Sequence, residues 1–445
     1  HTYNTAVGYA AGNAVTTGVQ NTLIGGLAGD AITTAGGNTA LGYQAMSALT
    51  TGGGNTAVGH QSMANGVVTG LHNTGLGDGS LLVLTSGAYN TGLGKDALAA
   101  NTTGAFNTAL GRNAGTANTT ASRNTFIGQS AGATNTTGAS LVAIGDNALL
   151  SNTTASNNTA VGKDALKTNT SGAYNTSIGY NSMDANTTGT ENAAGGWNAL
   201  GGNTTGSYNT AFGGASLDAN TTASNNTAFG FKALTENTTG DENVAVGSGS
   251  LDANTTAGGN SALGYASLTS NTTGAKNTAV GNSSLYNNTT ADSNTSIGWS
   301  TMGTNTTGAN NTAVGALALT ANTTGTVNTA VGKDSLTANT TGSYNVGMGV
   351  DSLLSNTTGD VNVGIGNNSL RANTTASQNT GLGTNAMYSN TTGADNVAVG
   401  HNSLDANTTG SNNTALGKSA LGTNTTASEN TAVGRDSLKL NTTGA

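Results

Sequence analysis

Apolar residues in this chain keep fixed addresses. Counted from an Asn, the pattern N-T-A-V-G-x-x-S/A-L-x-x-N-T-T-G/A-x-x returns every 17 residues, from Asn4, Asn21, Asn38 and Asn55 through Asn73 to Asn430. There are 26 units, with one 18-residue step between Asn55 and Asn73. Position 1 is Asn except at Leu141, position 5 is Gly throughout (Gly8 to Gly434), and position 4 is apolar except at Gly195. Position 9 is Leu or Met in most units, with Gly12, Gly29, Gly115 and Gly132 as the glycine exceptions.

A unit this short cannot hold a helix pair, which takes about 30 residues, and no 3.6-residue stripe runs through it. The N-T-A-V-G stretch alternates instead, so positions 2 and 4 share one face while 1, 3 and 5 share the other. The pattern predicts an all-β fold, a parallel β-solenoid (β-roll) with one 17-residue coil per repeat and about 26 coils. Two or three short strands per coil are expected, stacked at ~4.8 Å into an elongated rod. Large side chains at positions 4 and 9, such as Val331 and Leu336, are expected inside. Glycine at position 5 and a small residue at position 15 mark the corners.

The charges check this register independently. Only 32 of 445 residues are charged, and all occupy positions 6, 7, 10, 11, 16 or 17, which are therefore the solvated face. Low-complexity disorder would not keep them in register. The net charge of −8 has the wrong sign for phosphate backbones, so no nucleic-acid partner is expected. Without cysteine there are no disulfides, thiolate metal sites or cysteine nucleophiles. No apolar run approaches the ~20 residues of a spanning helix, and His1-Thr2-Tyr3-Asn4 has no secretory-signal pattern. The chain reads as a processed piece or an excerpt.

The most regular motif is Asn-Thr-Thr at position 12, unbroken from Asn101 to Asn441 apart from Ser171 replacing one Thr. Each copy is an acceptor sequon for N-glycans, yet the same slot holds Val15, Ile32, Leu49, Val67 or Val68, and Leu84 in the first coils. A slot that takes either an aliphatic group or Asn faces inward. Asn101, Asn118, Asn135, Asn152, Asn169, Asn186, Asn203 and Asn220 are accordingly expected to form a structural ladder of amides bonded from coil to coil. The swap divides the solenoid into an aliphatic-corner section, residues 1–100, and an Asn-corner section, residues 101–445.

Little in the chain suggests catalysis. His1, His60, His72 and His401 are scattered, the Gly-Lys-Asp triplets at 94–96, 162–164 and 332–334 form a rim of exposed charge, and Asp241-Glu242 sits in outward slots. No enzyme, metal or cofactor is expected. Tyrosine and tryptophan fall only at positions 6, 10 and 17. Tyr174, Tyr180, Trp197, Tyr208, Tyr265, Trp299 and Tyr344 are candidate glycan-contact residues, because a flat exposed ring suits the apolar face of a sugar.

Asn328-Thr329-Ala330-Val331-Gly332 followed by Ser335-Leu336 resembles the head repeat of YadA-like trimeric autotransporter adhesins, and related repeats occur in bacteriophage tail fibres. The resemblance covers nearly the whole chain. It implies a left-handed parallel β-roll in an outer-surface homotrimer that attaches to host surfaces, where glycans suited to the exposed rings are the expected partners. The 17-residue period, longer than the adhesin repeat by the N-T-T-G corner, keeps the roll geometry and the trimer from carrying over in detail. The expected function is a structural or adhesive segment of an extracellular fibre, at a virion or cell surface, with no membrane span in this segment. The alternatives are a glycan-coated surface filament and an ice-binding β-solenoid.

Overall fold

A computed structural model describes residues 3–443, so His1 lies outside the described residues. It is all-β: 26 parallel three-residue strands, β1 (Thr5–Val7) to β26 (Thr431–Val433), one per coil, with no helix among the described residues. The chain forms two compact units, residues 1–224 and 225–445. The first contains β1 to β13 (Thr210–Phe212) and the second β14 (Thr227–Phe229) to β26. At ~4.8 Å per paired strand, the strands of each unit extend over roughly 58 Å.

Register is residue upon equivalent residue. Thr312 pairs with Thr329, Ala313 with Ala330 and Val314 with Val331. Outside the strands the ladder continues: the Leu336, Ala338 and Thr340 amides donate to the carbonyls of Ser352, Leu354 and Thr357 in the next coil, at 2.9 to 3.1 Å. Between them, Ser335 and Asn339 donate back to Gly332 and Leu336 within their own coil, closing tight turns.

One strand per coil, rather than two or three, is a correction with a definite cause. Positions 7, 9 and 17 adopt left-handed backbone, as in Asp334 (φ 57°), Leu336 (52°) and Tyr344 (60°), so the chain curls where an extended segment was expected. Each such non-glycine residue costs roughly 1–2 kcal/mol, and stacking on both sides holds it there. Position 5 has a stricter requirement. Gly332 lies at φ 130°, where a Cβ would stand 2.6 Å from the carbonyl oxygen of Gly349 in the next coil. A side chain there would separate the coils, which accounts for glycine in all 26 units.

The alternation of the strand is as expected, but its faces are reversed. Position 3 is buried and position 4 is not: Ala330 is fully enclosed, whereas Val331 is half-buried and Leu263 is 50% exposed. Leu336 is inside, as expected. The interior of so short a coil is thin, and opposite the Leu of position 9 it accommodates Ala. Where position 3 is large, position 9 shrinks. Leu23 occupies the space over Gly12 and Gly29, and Phe126 the space over Gly115 and Gly132. These two residues account for all four position-9 glycines.

This compensation predicts that Gly132→Leu, though it restores the repeat's own consensus, destabilises the protein by about 1–3 kcal/mol through overpacking against Phe126. Adding Phe126→Ala is expected to recover most of the loss. A denaturant-melting double-mutant cycle checks this, and additive effects would contradict the shared cavity.

Candidate functional site

Two inward Asn columns set the shape on which every surface residue depends. At position 12, Nδ2 of Asn118, Asn135, Asn152, Asn169, Asn186, Asn203 and Asn220 each donates to Oδ1 of the Asn one coil earlier, beginning with Asn101, at 2.8 to 3.0 Å. The second amide hydrogen goes to the position-15 carbonyl, as from Asn339 to Gly342 at 2.9 Å. All eight expected ladder residues are fully buried, and the same bonds recur in the second unit, from Asn254 to Asn237 and onward. Both amide hydrogens of these Asn residues are thus engaged inside the coil. In the first coils the slot is filled by buried Ile32, Leu49, Val68 and Leu84. Val68 is the inward residue at the 18-residue step, bridging Leu49, while Val67 is exposed.

A second ladder, unrecognised as such in the sequence, runs through position 1. The Asn328 amide donates to Oδ1 of Asn311 at 2.9 Å, and its Nδ2 donates to the Gly342 carbonyl at 2.8 Å, the same oxygen that Asn339 reaches. Two side chains therefore fasten one corner of every such coil. The signal was the near-invariance of position 1.

Outside, three kinds of surface stand on this frame. The first is the sheet face of positions 2 and 4. In the first unit it carries the aliphatic side chains of Ile24, Leu41, Leu76, Leu93, Leu110 and Ile178, all exposed. In the second it carries Leu263, Ile297, Met348, Leu382, Leu416 and Val433. Position 2 beside them is threonine or valine except at Ala193 and Ser261, and neither column contains a charge. At Gly195 the Phe212 ring of the next coil covers the gap, 2.5 Å from where a Cβ would stand.

The second surface is the threonine corner. Thr323 Oγ1 donates to the Thr340 carbonyl of the next coil at 3.1 Å, tying position 13 to the backbone, while position 14 stays exposed. At this corner one column of hydroxyls is therefore tied to the backbone and one is outward.

The third is the aromatic set. The seven expected residues are all exposed, between 48 and 63%. Tyr180, Trp197, Tyr265 and Trp299 belong to the position-6 column, and Tyr174, Tyr208 and Tyr344 to the position-17 column. Tyr180 and Trp197 stand in consecutive coils; Tyr174 and Tyr208 flank Glu191 two coils apart. A cavity of about 390 Å³ opens at Tyr174, Thr176, Glu191, Asn192 and Ala193, where alanine replaces the usual position-2 threonine. Tyr265 lines another with Phe231 and Tyr286, which the sequence reading did not single out. It likewise passed over a ring stack, His72 on Tyr89 on Phe106, with centroids 5.3 and 5.1 Å apart. Like residues at one position in successive coils were the available signal.

The charged rim is local and solvated. The His60 ring, 2.9 Å from the Asp78 carboxylate, holds that carboxyl below its usual range, helped by Lys95. Asp184 and Asp405, both at position 10, are pushed above it by partial burial. No group of three or more His, Asp or Glu side chains suited to a metal occurs among the described residues. No helix there is long and apolar enough to cross a membrane.

No family model matches this chain, and no curated protein matches it.

Two outcomes test the frame and its rim. Asn271 Nδ2 donates to Asn254 Oδ1 and to the Gly274 carbonyl, and its Oδ1 accepts from Asn288. Asn271→Leu is expected to destabilise by about 1–3 kcal/mol in denaturant melts, because the neighbours lose their partners. It does so although Leu fills the same slot at Leu49 and Leu84. Asp184 holds its proton more firmly folded than unfolded, so its ionised form opposes folding above its native pKa. Asp184→Asn is therefore expected to raise Tm at neutral pH, with the gain vanishing below the ordinary carboxyl value of 3.8.

Proposed function

We propose that this chain is a non-catalytic segment of an extracellular fibre, of the tail-fibre or surface-adhesin kind, which spaces or presents a host-attachment function and assembles from copies of itself. The observation that carries this reading is the uncharged face of positions 2 and 4, on which a column of exposed apolar side chains runs beside threonine and valine. Parallel sheets occur almost only with both faces covered, and a continuous exposed apolar patch on a soluble protein marks an interface. Here one sheet face is open.

The partner that fits it is a second copy. The exposed aliphatic groups recur once per coil, so only a surface with the same coil spacing meets them in register along the sheet, and the chain itself supplies one. The absence of charge at positions 1 to 5 removes the like-charge repulsion that would oppose self-association. Closed symmetry is the usual solution for identical chains, and the resemblance to trimeric adhesin heads favours three. Near-identical coils then present many weak contacts at once, the arrangement in which avidity replaces affinity.

The protein is expected to sediment as an oligomer, with a mass that is a whole multiple of 43.1 kDa. The triple variant Leu263→Lys, Ile297→Lys, Leu416→Lys is expected to sediment as a folded monomer, since these side chains are exposed in the single chain. A wild-type monomer at micromolar concentration would contradict the assembly.

A further inference from the structure

The second unit departs from its own repeat over several successive coils, and the departure opens a groove. Position 7 is Asn or Asp in twelve of the 26 coils, but four successive coils carry Gly249, Ala266, Ser283 and Ser300 there. At Gly249 a Cβ would meet nothing within 4 Å. In the same stretch position 6 alternates between a ring and a small or polar residue: Phe231, Ser248, Tyr265, Asn282, Trp299.

Two adjoining cavities follow. One, of about 200 Å³, lies among Phe231, Ser248, Gly249, Tyr265 and Tyr286, with Lys232 and Asp252 also on its lining. The other, of about 270 Å³, lies among Ser283, Tyr286, Ser300, Gly303 and Thr304. Tyr286 belongs to both, so the two form one track along the coils. Lys232 sits over the Phe231 ring, with Nζ 5.8 Å from its centroid. The second cavity has no charged lining residue.

We propose that this track binds a neutral, linear, β-linked polysaccharide lying parallel to the stack of coils. Three features select that class. Phe231 and Tyr265, two coils apart on the lining, are continued along position 6 by Trp299, which gives one ring every second coil, about 9–10 Å apart at strand spacing. An extended β-linked glycan turns over at each sugar and repeats every second one, so alternate sugars meet alternate rings with the same apolar face. Hydroxyls on Ser248, Ser283, Ser300 and Thr304 supply uncharged partners for sugar hydroxyls along the floor. The lining offers one cation beside one carboxylate, so it presents no excess charge to favour an acidic polymer.

This site lies on positions 6, 7, 10 and 11, off the sheet face assigned above to self-association, and stands or falls independently of it. The track is built from side chains that are exposed or small, so altering it leaves the interior untouched.

The test is affinity electrophoresis in native gels containing hydroxyethyl cellulose or mixed-linkage β-glucan, with alginate as the acidic control. Wild-type protein is expected to be retarded by the neutral polymers and not by alginate. Tyr265→Ala, Trp299→Ala is expected to lose at least tenfold in affinity with its far-UV circular dichroism unchanged. Tyr174→Ala, Tyr208→Ala, which alters rings outside the track, is expected to retain it. Gly249→Gln, Ser283→Gln fills the floor while leaving the rings, and is expected to abolish retardation too. In a Trp197→Phe background Trp299 is the only tryptophan, and its fluorescence is expected to shift on titration with the β-glucan. No retardation by either neutral polymer, equal retardation by alginate, or equal loss in the Tyr174, Tyr208 control would each overturn the proposal.

Discussion

The structure depends on residue i standing directly on residue i+17, and the interaction that enforces this is the side-chain amide passed from coil to coil. Backbone hydrogen bonds alone would tolerate a slipped strand, because every peptide group resembles every other. An Asn that must donate both to its predecessor's oxygen and to the carbonyl at its own corner tolerates no slip, since a one-residue shift would strand a buried amide. In Asn-corner coils such as 328–344, the Asn residues of positions 1 and 12 meet at the position-15 oxygen, so strand register and corner geometry are fixed together. The first coils keep the position-1 ladder and replace the other with packed aliphatic groups. The corner can thus be made dry or bonded, provided neighbours agree.

With register fixed this way, the core has little left to do. Its side chains are an alanine at position 3, a leucine at position 9, and small residues at 8 and 15. Serine at position 8 also bonds across coils, as Ser352 Oγ does to the Gly364 carbonyl at 2.7 Å. The larger apolar groups of position 4 are turned outward, where they are exposed or half-buried in the single chain. Left-handed backbone at three positions per coil is the conformational cost of so tight a circuit, and it recurs identically because each coil supports the next.

Much of this was legible in the residues. The period, the outward slots and the inward Asn of position 12 followed from addresses alone, because charge and Asn-for-aliphatic exchange report burial directly. Which strand face points inward did not follow. Alternation defines two faces without ranking them, and the assumption that the larger residue is inside put Val331 where Ala330 belongs. The corrective signal was present in Leu23 and Phe126, each matched by position-9 glycines in its own and the preceding coil. Glycines at positions 7 and 17, such as Gly249 and Gly259, likewise marked left-handed backbone, beyond the corners expected at positions 5 and 15. The aromatic residues were visible, but their grouping was not, since Phe231, Tyr265 and Tyr286 come together only once coils are stacked.

The central claim is that the aliphatic column of position 4 lies outside each coil and is covered only by other copies. Because the chain has no cysteine, single thiols can be placed at will. With Ala330→Cys and Val331→Cys each made in the lysine-substituted monomer and in the wild-type assembly, maleimide labelling of the native protein reads out both faces. The account predicts that Cys at 330 is protected in both backgrounds, while Cys at 331 is labelled in the monomer and protected in the assembly. Rapid labelling at 330, or protection of 331 in the monomer, would contradict it.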